Sequence, residues 1–427
     1  MFRTGKGKRA SSAEAFFSPQ FPITNSVKKP VLKKIVQNNA TIMASEALEL
    51  HSRLRGKIEV IPKLEAKDKK LLSLIYTPGV AEPCLEISKG KGLYDYTMKG
   101  NSVAIVSDGS AVLGLGNIGA EAAIPVMEGK AVLFKQFAGI NAFPICIKTQ
   151  DTDKIVEIVE NISPVFGGIN IEDISAPRCF EIEKRLQNIG IPVMHDDQHA
   201  TAIVTLAALI NSSAVLGKSM ESMKVAINGA GAAGSAIARF LLCFGDDKSR
   251  ICRNVKDVVI CDSKGAIYRG REGLEGYKKE LAELTNKGDA KGQLDEVIVG
   301  ADVFIGVSKG NALKKEAVAS MAEDPIVFAL ANPVPEILPK DALEAGAKIV
   351  ATGRSDFPNQ VNNALAFPGV FRGLLDSRAE RVTNEMKIAA AIALAGTIKK
   401  PTTNEILPSV FDKNVVKNIS AAIKECR

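Results

Sequence analysis

Lys224-Val-Ala-Ile-Asn-Gly-Ala-Gly-Ala-Ala-Gly-Ser-Ala-Ile-Ala-Arg239 runs from an apolar stretch through three glycines into an alanine-rich segment. The first part reads as a strand, Lys224–Asn228, and the last as a helix from Ser235 to Phe244. Between them Gly229, Gly231 and Gly234, with Ala230, Ala232 and Ala233, have the spacing of a pyrophosphate cradle at a helix N-terminus. A bare Gly-x-Gly-x-x-Gly is a weak signal, and the strand before it and the helix after it give this one its weight. Asp262 ends the next apolar stretch, Val258–Cys261, where a carboxylate accepts from a ribose hydroxyl. The gap exceeds the usual spacing of about twenty residues, and an insertion at Gly245–Lys256 explains the excess. Asp262 favours NAD, whereas Ser263 and Lys264 beside it suit the 2′-phosphate of NADP, so both dinucleotides stay open.

Outward from this loop, apolar runs Val303–Val307, Ile326–Leu330 and Lys348–Ala351 alternate with helical stretches such as Leu274–Leu284. That rhythm predicts a doubly wound parallel sheet, a Rossmann-like NAD(P)-binding domain over 199–427 that ends in helices broken by Pro401 and Pro408. From Met43 to Gln198 a second α/β domain is expected. It has a helix at Ala44–Leu54, an extended Lys57–Pro62, strands at Val103–Ser107 and Ala142–Ile147, and a helix from Asp151 to Asn161. Leu113-Gly-Leu-Gly-Asn-Ile-Gly119 lacks a strand leading into it and reads as a structural turn.

Two acid pairs follow apolar strands. Glu172-Asp173 closes Phe166-Gly-Gly-Ile-Asn-Ile171, and Asp196-Asp197 follows Ile191–Met194. Neighbours on a regular strand point to opposite faces, so a pair reaches one ion only where the strand ends and the backbone turns. Clustered hard oxygens select Mg²⁺ or Mn²⁺. Helix capping is the plainer alternative, but a cap needs one acid and not two. His195 and His199 flank the second pair and read as hydrogen-bonded spacers, since imidazoles would tilt the site toward zinc. Tyr76 and Lys130 would each be ordinary alone. A lysine serves as a base when burial or a neighbouring cation depresses its pKa. Asn332 and the pair Asn362-Asn363 fall near strand ends, the crevice positions where such sheets bind ligands.

The net charge of +7 arises locally, because residues 1–42 hold eight basic side chains and one acid, leaving 47 of each sign beyond. A nucleic-acid partner is therefore not expected. The tail reads as a disordered extension, with an organellar presequence as the alternative to a cytoplasmic location. Seven scattered cysteines without a Cys-x-x-Cys pair read as free thiols in a reducing compartment. No apolar run reaches the length of a membrane helix, Ala200–Ile210 being the longest, so no membrane is expected.

Together these motifs resemble malic enzyme in its short, bacterial-type branch, from Met43 to the C-terminus. The resemblance rests on Tyr76-Thr-Pro-Gly-Val-Ala81, Pro125-Val-Met-Glu-Gly-Lys130, Phe166-Gly-Gly-Ile-Asn-Ile-Glu-Asp173, His195-Asp-Asp-Gln-His199, Asn228-Gly-Ala-Gly-Ala-Ala-Gly234 and Ala329-Leu-Ala-Asn-Pro333, in family order. It implies oxidative decarboxylation of L-malate to pyruvate and CO₂ with reduction of NAD or NADP. By the same resemblance Glu172, Asp173 and Asp197 hold Mg²⁺ or Mn²⁺, Lys130 is the base, Asp196 orients it and Tyr76 protonates C3. Asn332 and Asn362 would bind the substrate carboxylate or the nicotinamide end. A homodimer is implied, with Tyr76 in its own or the partner's site. Two departures stand out: Ala200 replaces a usual glycine, and Ser110-Ala111-Val112 lacks an arginine that the long branch carries. The rivals are a metal-assisted hydroxy-acid dehydrogenase that does not decarboxylate and a non-catalytic dinucleotide-binding regulator.

Overall fold

The computed structural model describes residues 45–112, 114–244 and 254–426. The basic tail, the proposed start at Met43 and most of the 245–256 insertion lie outside them. Helix α1 spans 45–54 and belongs to one compact unit, while everything from Lys57 onward forms another. In that second unit the first elements are α2 (Lys69–Ile75), α3 (Ala81–Ser88) and α4 (Leu93–Tyr96). The extended stretch after Lys57 pairs with no strand.

The first sheet is wholly parallel, in the order β2-β1-β3-β4. Its strands are β1 (Ser102–Ser107), β2 (Asn141–Cys146), β3 (Gly168–Ile171) and β4 (Val193–His195). Its crossovers are α5 (Ala120–Ala138), α6 (Thr152–Ile162) and α7 (Arg178–Leu186). β1 is buried at all six positions, as a central parallel strand must be when both faces are covered. α8 (Asp196–Leu216) leads to the second sheet, and the expected boundary near 198 falls inside it.

The second sheet has the order β10-β9-β8-β5-β6-β7. β5 (Lys224–Asn228), α9 (Ala232–Leu241), β6 (Asp257–Asp262), β7 (Gly265–Ala266), α10 (Tyr277–Leu284) and α11 (Leu294–Val297) come first. β8 (Val303–Gly306), α12 (Lys315–Ala319), β9 (Ile326–Ala329), α13 (Pro339–Glu344) and β10 (Ile349–Thr352) complete it. The chain then adds α14 (Phe367–Ser377), α15 (Asn384–Ala395) and α16 (Lys413–Glu425). The doubly wound sheet is parallel through β10-β9-β8-β5-β6, and β7 adds an antiparallel edge to β6. Two residues in a tight hairpin carry no periodicity to read.

Two expectations are corrected. α8 does have the length and apolar composition of a membrane span, since Ala214-Val215-Leu216 resume the apolar run after Asn211, Ser212 and Ser213, but 61% of its most apolar stretch is buried in the fold. It packs Ile203, Val204, Ala207 and Leu209 into a core shared by both sheets, and Ala200 fits there with no exposure. Among the cysteines, Cys84, Cys146, Cys179, Cys261 and Cys426 are free, whereas Cys243 is disulfide-bonded. Pairing depends on where the chain returns in space, which sequence spacing does not encode.

Candidate active site

β3 and β4 are parallel neighbours with Ile171 opposite His195, so the two acid pairs leave adjacent strand ends side by side. Asp173 turns out of the strand with φ 52°, which breaks the alternation that would send it away from Glu172. Its backbone N–H donates to Asp197 Oδ2 at 2.9 Å. The result is a set of carboxylate oxygens from Glu172, Asp173 and Asp197 within 4.8 Å of one another. Asp173 Oδ2 is buried and lacks a hydrogen-bond partner. An orphaned, buried carboxylate oxygen among other carboxylates fits an oxygen-seeking divalent cation.

Lys130, 7% exposed in the middle of α5, reaches the same point. Its Nζ donates to Asp196 Oδ2 at 2.7 Å and to Glu172 Oε2. The Phe367 ring lies 4.6 Å from that ammonium. Asn170 Nδ2 donates to Glu172 Oε2 at 2.9 Å, and Asn363 Nδ2 to Asp196 Oδ2 at 2.9 Å.

The protonation states follow from this crowding. Burial pushes Asp173 up, and the neighbouring Asp197 pushes it further, to about 7. Burial likewise raises Glu172 well above the carboxylate range, against the pull of Lys130. Burial also opposes ionisation of Asp197, but His195 and Lys130 hold it below its ordinary value. For Lys130 burial works downward, and Asp196, Glu172 and Asp197 outweigh it, so the ammonium is favoured. The charges nearest to Lys130 in the chain itself are anions, so a depressed pKa would require the neighbouring cation.

His195 closes β4 and His199 lies in the first turns of α8. His195 Nε2 lies 3.1 Å from Asp197 Oδ2, and Gln198 meets its Nδ1 at 3.0 Å. Behind them Glu183 of α7 accepts from His195 N at 2.9 Å and from Gln198 Nε2 at 3.1 Å. His199 lies 2.9 Å from the same carboxylate. Nothing in the sequence pairs Glu183 with this junction. Nor does it pair Arg178, which ties Asp108 (2.7 Å) and Ser110 (2.8 Å) into the adjoining loop.

The glycine loop faces the carboxylates across a cleft of about 660 Å³. A Cβ on Gly234 would sit 1.8 Å from Gly229 O, and one on Gly229 would sit 2.7 Å from Val307 O. Both glycines therefore let α9 approach β5 and β8. Gly231 is different, since a Cβ there meets nothing within 4 Å. Its backbone opens on the cleft beside Ala232 and Ala233 at the start of α9, where N–H groups suit a pyrophosphate. Asn332, Asn362 and Asn363 line the same cleft. Asn362 Oδ1 accepts from Ala364 N at 2.8 Å.

At the far end of the loop Asp262 accepts from Arg271 and Lys278, each at 2.7 Å, and from Lys264 N at 2.9 Å. Burial resists its ionisation, but Arg271 and Lys278 draw it down to about 2. Ser263 and Lys264 are exposed beside it. Tyr76 is the expected site residue that the chain does not bring to this cleft. It follows α2 and is 70% exposed.

The malic enzyme N-terminal domain matches residues 55–187, and the malic enzyme NAD-binding domain matches residues 199–426. The chain belongs to the malic enzyme family. It is similar to the bifunctional malic/malolactic enzyme of Bacillus subtilis, at 57% identity over 89% of this chain and 92% of that one. It is also 49% identical to the NADP-dependent malic enzyme of Escherichia coli, over 86% of this chain and 48% of that longer protein. Among solved structures, the NAD-dependent malic enzyme of Thermotoga maritima superposes with a TM-score of 0.84 and 49% identity, covering 88% of this chain and 98% of that one. The family accounts for both sheets and for the succession of domains.

Proposed function

We propose that this chain oxidises L-malate with NAD⁺ or NADP⁺ and releases pyruvate and CO₂, using Mg²⁺ or Mn²⁺. The observation that carries the reading is one cleft holding three carboxylates within 4.8 Å, a buried lysine and an open glycine cradle. The family relatives, named as NAD- and NADP-dependent malic enzymes, support it. Glu172, Asp173 and Asp197 would hold the ion. When bound, a divalent cation supplies Lewis acidity toward the substrate oxygens and a positive charge that competes with Lys130 for Glu172. The dinucleotide, held by the glycine loop, would supply the hydride acceptor for C2.

The remaining work falls to the chain's own side chains. Once a bound cation draws Glu172 and Asp197 away from it and Lys130 has lost its own proton, its Nζ would take the proton of the 2-hydroxyl, and Asp196, fixed by Asn363, holds that nitrogen in place. Phe367 covers the lysine with an apolar face and keeps water from it. Gly231, Ala232 and Ala233 receive the pyrophosphate, Asp262 with Ser263 and Lys264 the ribose end, and Asn332 and Asn362 the substrate carboxylate or nicotinamide amide. Tyr76 returns a proton to C3 and comes from a second copy of the chain. Support for that homodimer lies in α2 and α3, which bury no residue in their own chain and expose Leu72, Leu74, Ile75 and Leu85. A cytoplasmic setting belongs to the same proposal. Purified protein given L-malate, Mn²⁺ and each dinucleotide tests it. A non-decarboxylating dehydrogenase yields reduced dinucleotide without CO₂, and a binding-only regulator yields neither.

A further inference from the structure

On the other side of α8 from the proposed metal carboxylates lies a second cleft, of about 500 Å³, walled by α7, α9, α10 and α15. Lys387 of α15 lines it and is only 7% exposed. Among the described residues the one polar contact of its Nζ is His199 Nε2 at 3.4 Å. That ring nitrogen stands 2.9 and 3.0 Å from the two oxygens of Glu183, so it must carry the proton and has no lone pair for the lysine. The ammonium is therefore buried with three donors and no acceptor, an arrangement that costs free energy unless something supplies one. Burial pushes its pKa below the usual range, with Glu183 the one charge countering. Glu183 itself is taken by His195 N, Gln198 and His199.

The other charges in the wall decide what fits. Arg239 is already bonded to Glu280 at 2.5 Å, and Glu181 and Lys184 of α7 both line the wall. Glu181, Glu183 and Glu280 line the wall against Lys184, Arg239 and Lys387, so the wall is balanced and a ligand with a second negative charge would tip it further negative than a monoanion does. The rings of Phe180 and Tyr277, 4.7 Å apart, supply an apolar surface. We propose that this cleft is a second ligand site for a small monocarboxylate, its carboxylate on Lys387 Nζ and its apolar body against Phe180 and Tyr277. The site stands apart from the malate cleft, and through Glu183 it touches the same β4–α8 junction that carries Asp197.

Benzoate is the probe. It is titrated calorimetrically into the full chain held with Mn²⁺ and saturating L-malate but no dinucleotide, so that the first cleft is occupied without turnover. One saturable site per protomer is expected, unaffected by inorganic phosphate. Lys387→Met should weaken it by at least about tenfold, the loss of one charge-assisted contact. Ala236→Leu, on the opposite wall, should block it as well and serves if the lysine variant fails to fold. Benzoate binding that malate displaces, that phosphate matches, that is no more than an adventitious, unsaturable uptake, or that both variants retain at full strength would overturn the assignment.

Discussion

Replacing Asp173 by Asn should stabilise the metal-free chain while ending its response to divalent ions. Asp173 is 2% exposed, sits at φ 52°, and leaves one oxygen without a partner. Asn tolerates that left-handed backbone, so the substitution is nearly isosteric and adds no strain. The carboxyl is lifted from 3.8 to about 7, first by burial and then by Asp197. The folded state thus holds this proton more tightly than the unfolded chain. Its ionisation costs nothing below about pH 3.8, costs more as pH rises through the interval, and reaches its full penalty above about pH 7. Three pKa units correspond to a ceiling of about 4 kcal/mol. An unpaired buried amide returns about 1–3 kcal/mol of that, so a net gain of about 1–3 kcal/mol is expected at pH 8. Denaturant unfolding in the presence of a chelator reads it out, and the gain should shrink toward pH 4. Mn²⁺ at about a hundred times its dissociation constant should add about 2.7 kcal/mol to the wild type and almost nothing to the variant. A variant that is less stable than wild type at pH 8 in chelator, or that Mn²⁺ protects equally well, would refute the reasoning.

Lys130→Ala should slow malate oxidation by about 10²- to 10⁴-fold, the usual worth of a general base, yet spare Mn²⁺-assisted decarboxylation of added oxaloacetate. Equal loss of both steps would make the lysine an organiser of the site and not a proton acceptor. On the proposal that the two side chains of one site come from different chains, mixing inactive Tyr76→Phe with inactive Lys130→Ala should restore part of the activity; no recovery at dimer-forming concentration would return Tyr76 to its own subunit or to none. Gly234→Ala would place a methyl 1.8 Å from Gly229 O, so the loop must shift and dinucleotide binding, followed by nicotinamide fluorescence, should be lost while Mn²⁺ still protects against unfolding. Unchanged dinucleotide affinity would remove this loop from the cofactor site.

What the sequence made legible is what local chemistry encodes. β5 has the expected bounds, Lys224–Asn228, because an apolar strand running into Gly229 admits few other conformations. α9 starts three residues before the expected Ser235, since alanine and glycine at a helix start leave no capping side chain to read. Glu172 and Asp197 could be placed at strand ends, but the positive φ that turns Asp173 toward them is a property of the junction. Asn363 reaches Asp196 across 167 residues of sequence, and no periodicity announces such a contact. The same holds for Glu183 behind His195 and for Lys387 beside His199. The charge state of Lys130 is beyond the sequence for a related reason. It depends on which of its neighbours are present, and the anions are built into the chain whereas the cation is not.

The central claim is that one cleft couples a divalent-metal site to dinucleotide reduction and loss of CO₂. The most direct measurement follows ¹⁴CO₂ from uniformly labelled L-malate together with absorbance of the reduced dinucleotide, with Mn²⁺ and again after chelation. Equal amounts of CO₂ and NADH or NADPH, both abolished by the chelator and restored by Mn²⁺, are predicted. Reduced dinucleotide without CO₂, or turnover that chelation leaves untouched, would contradict the account.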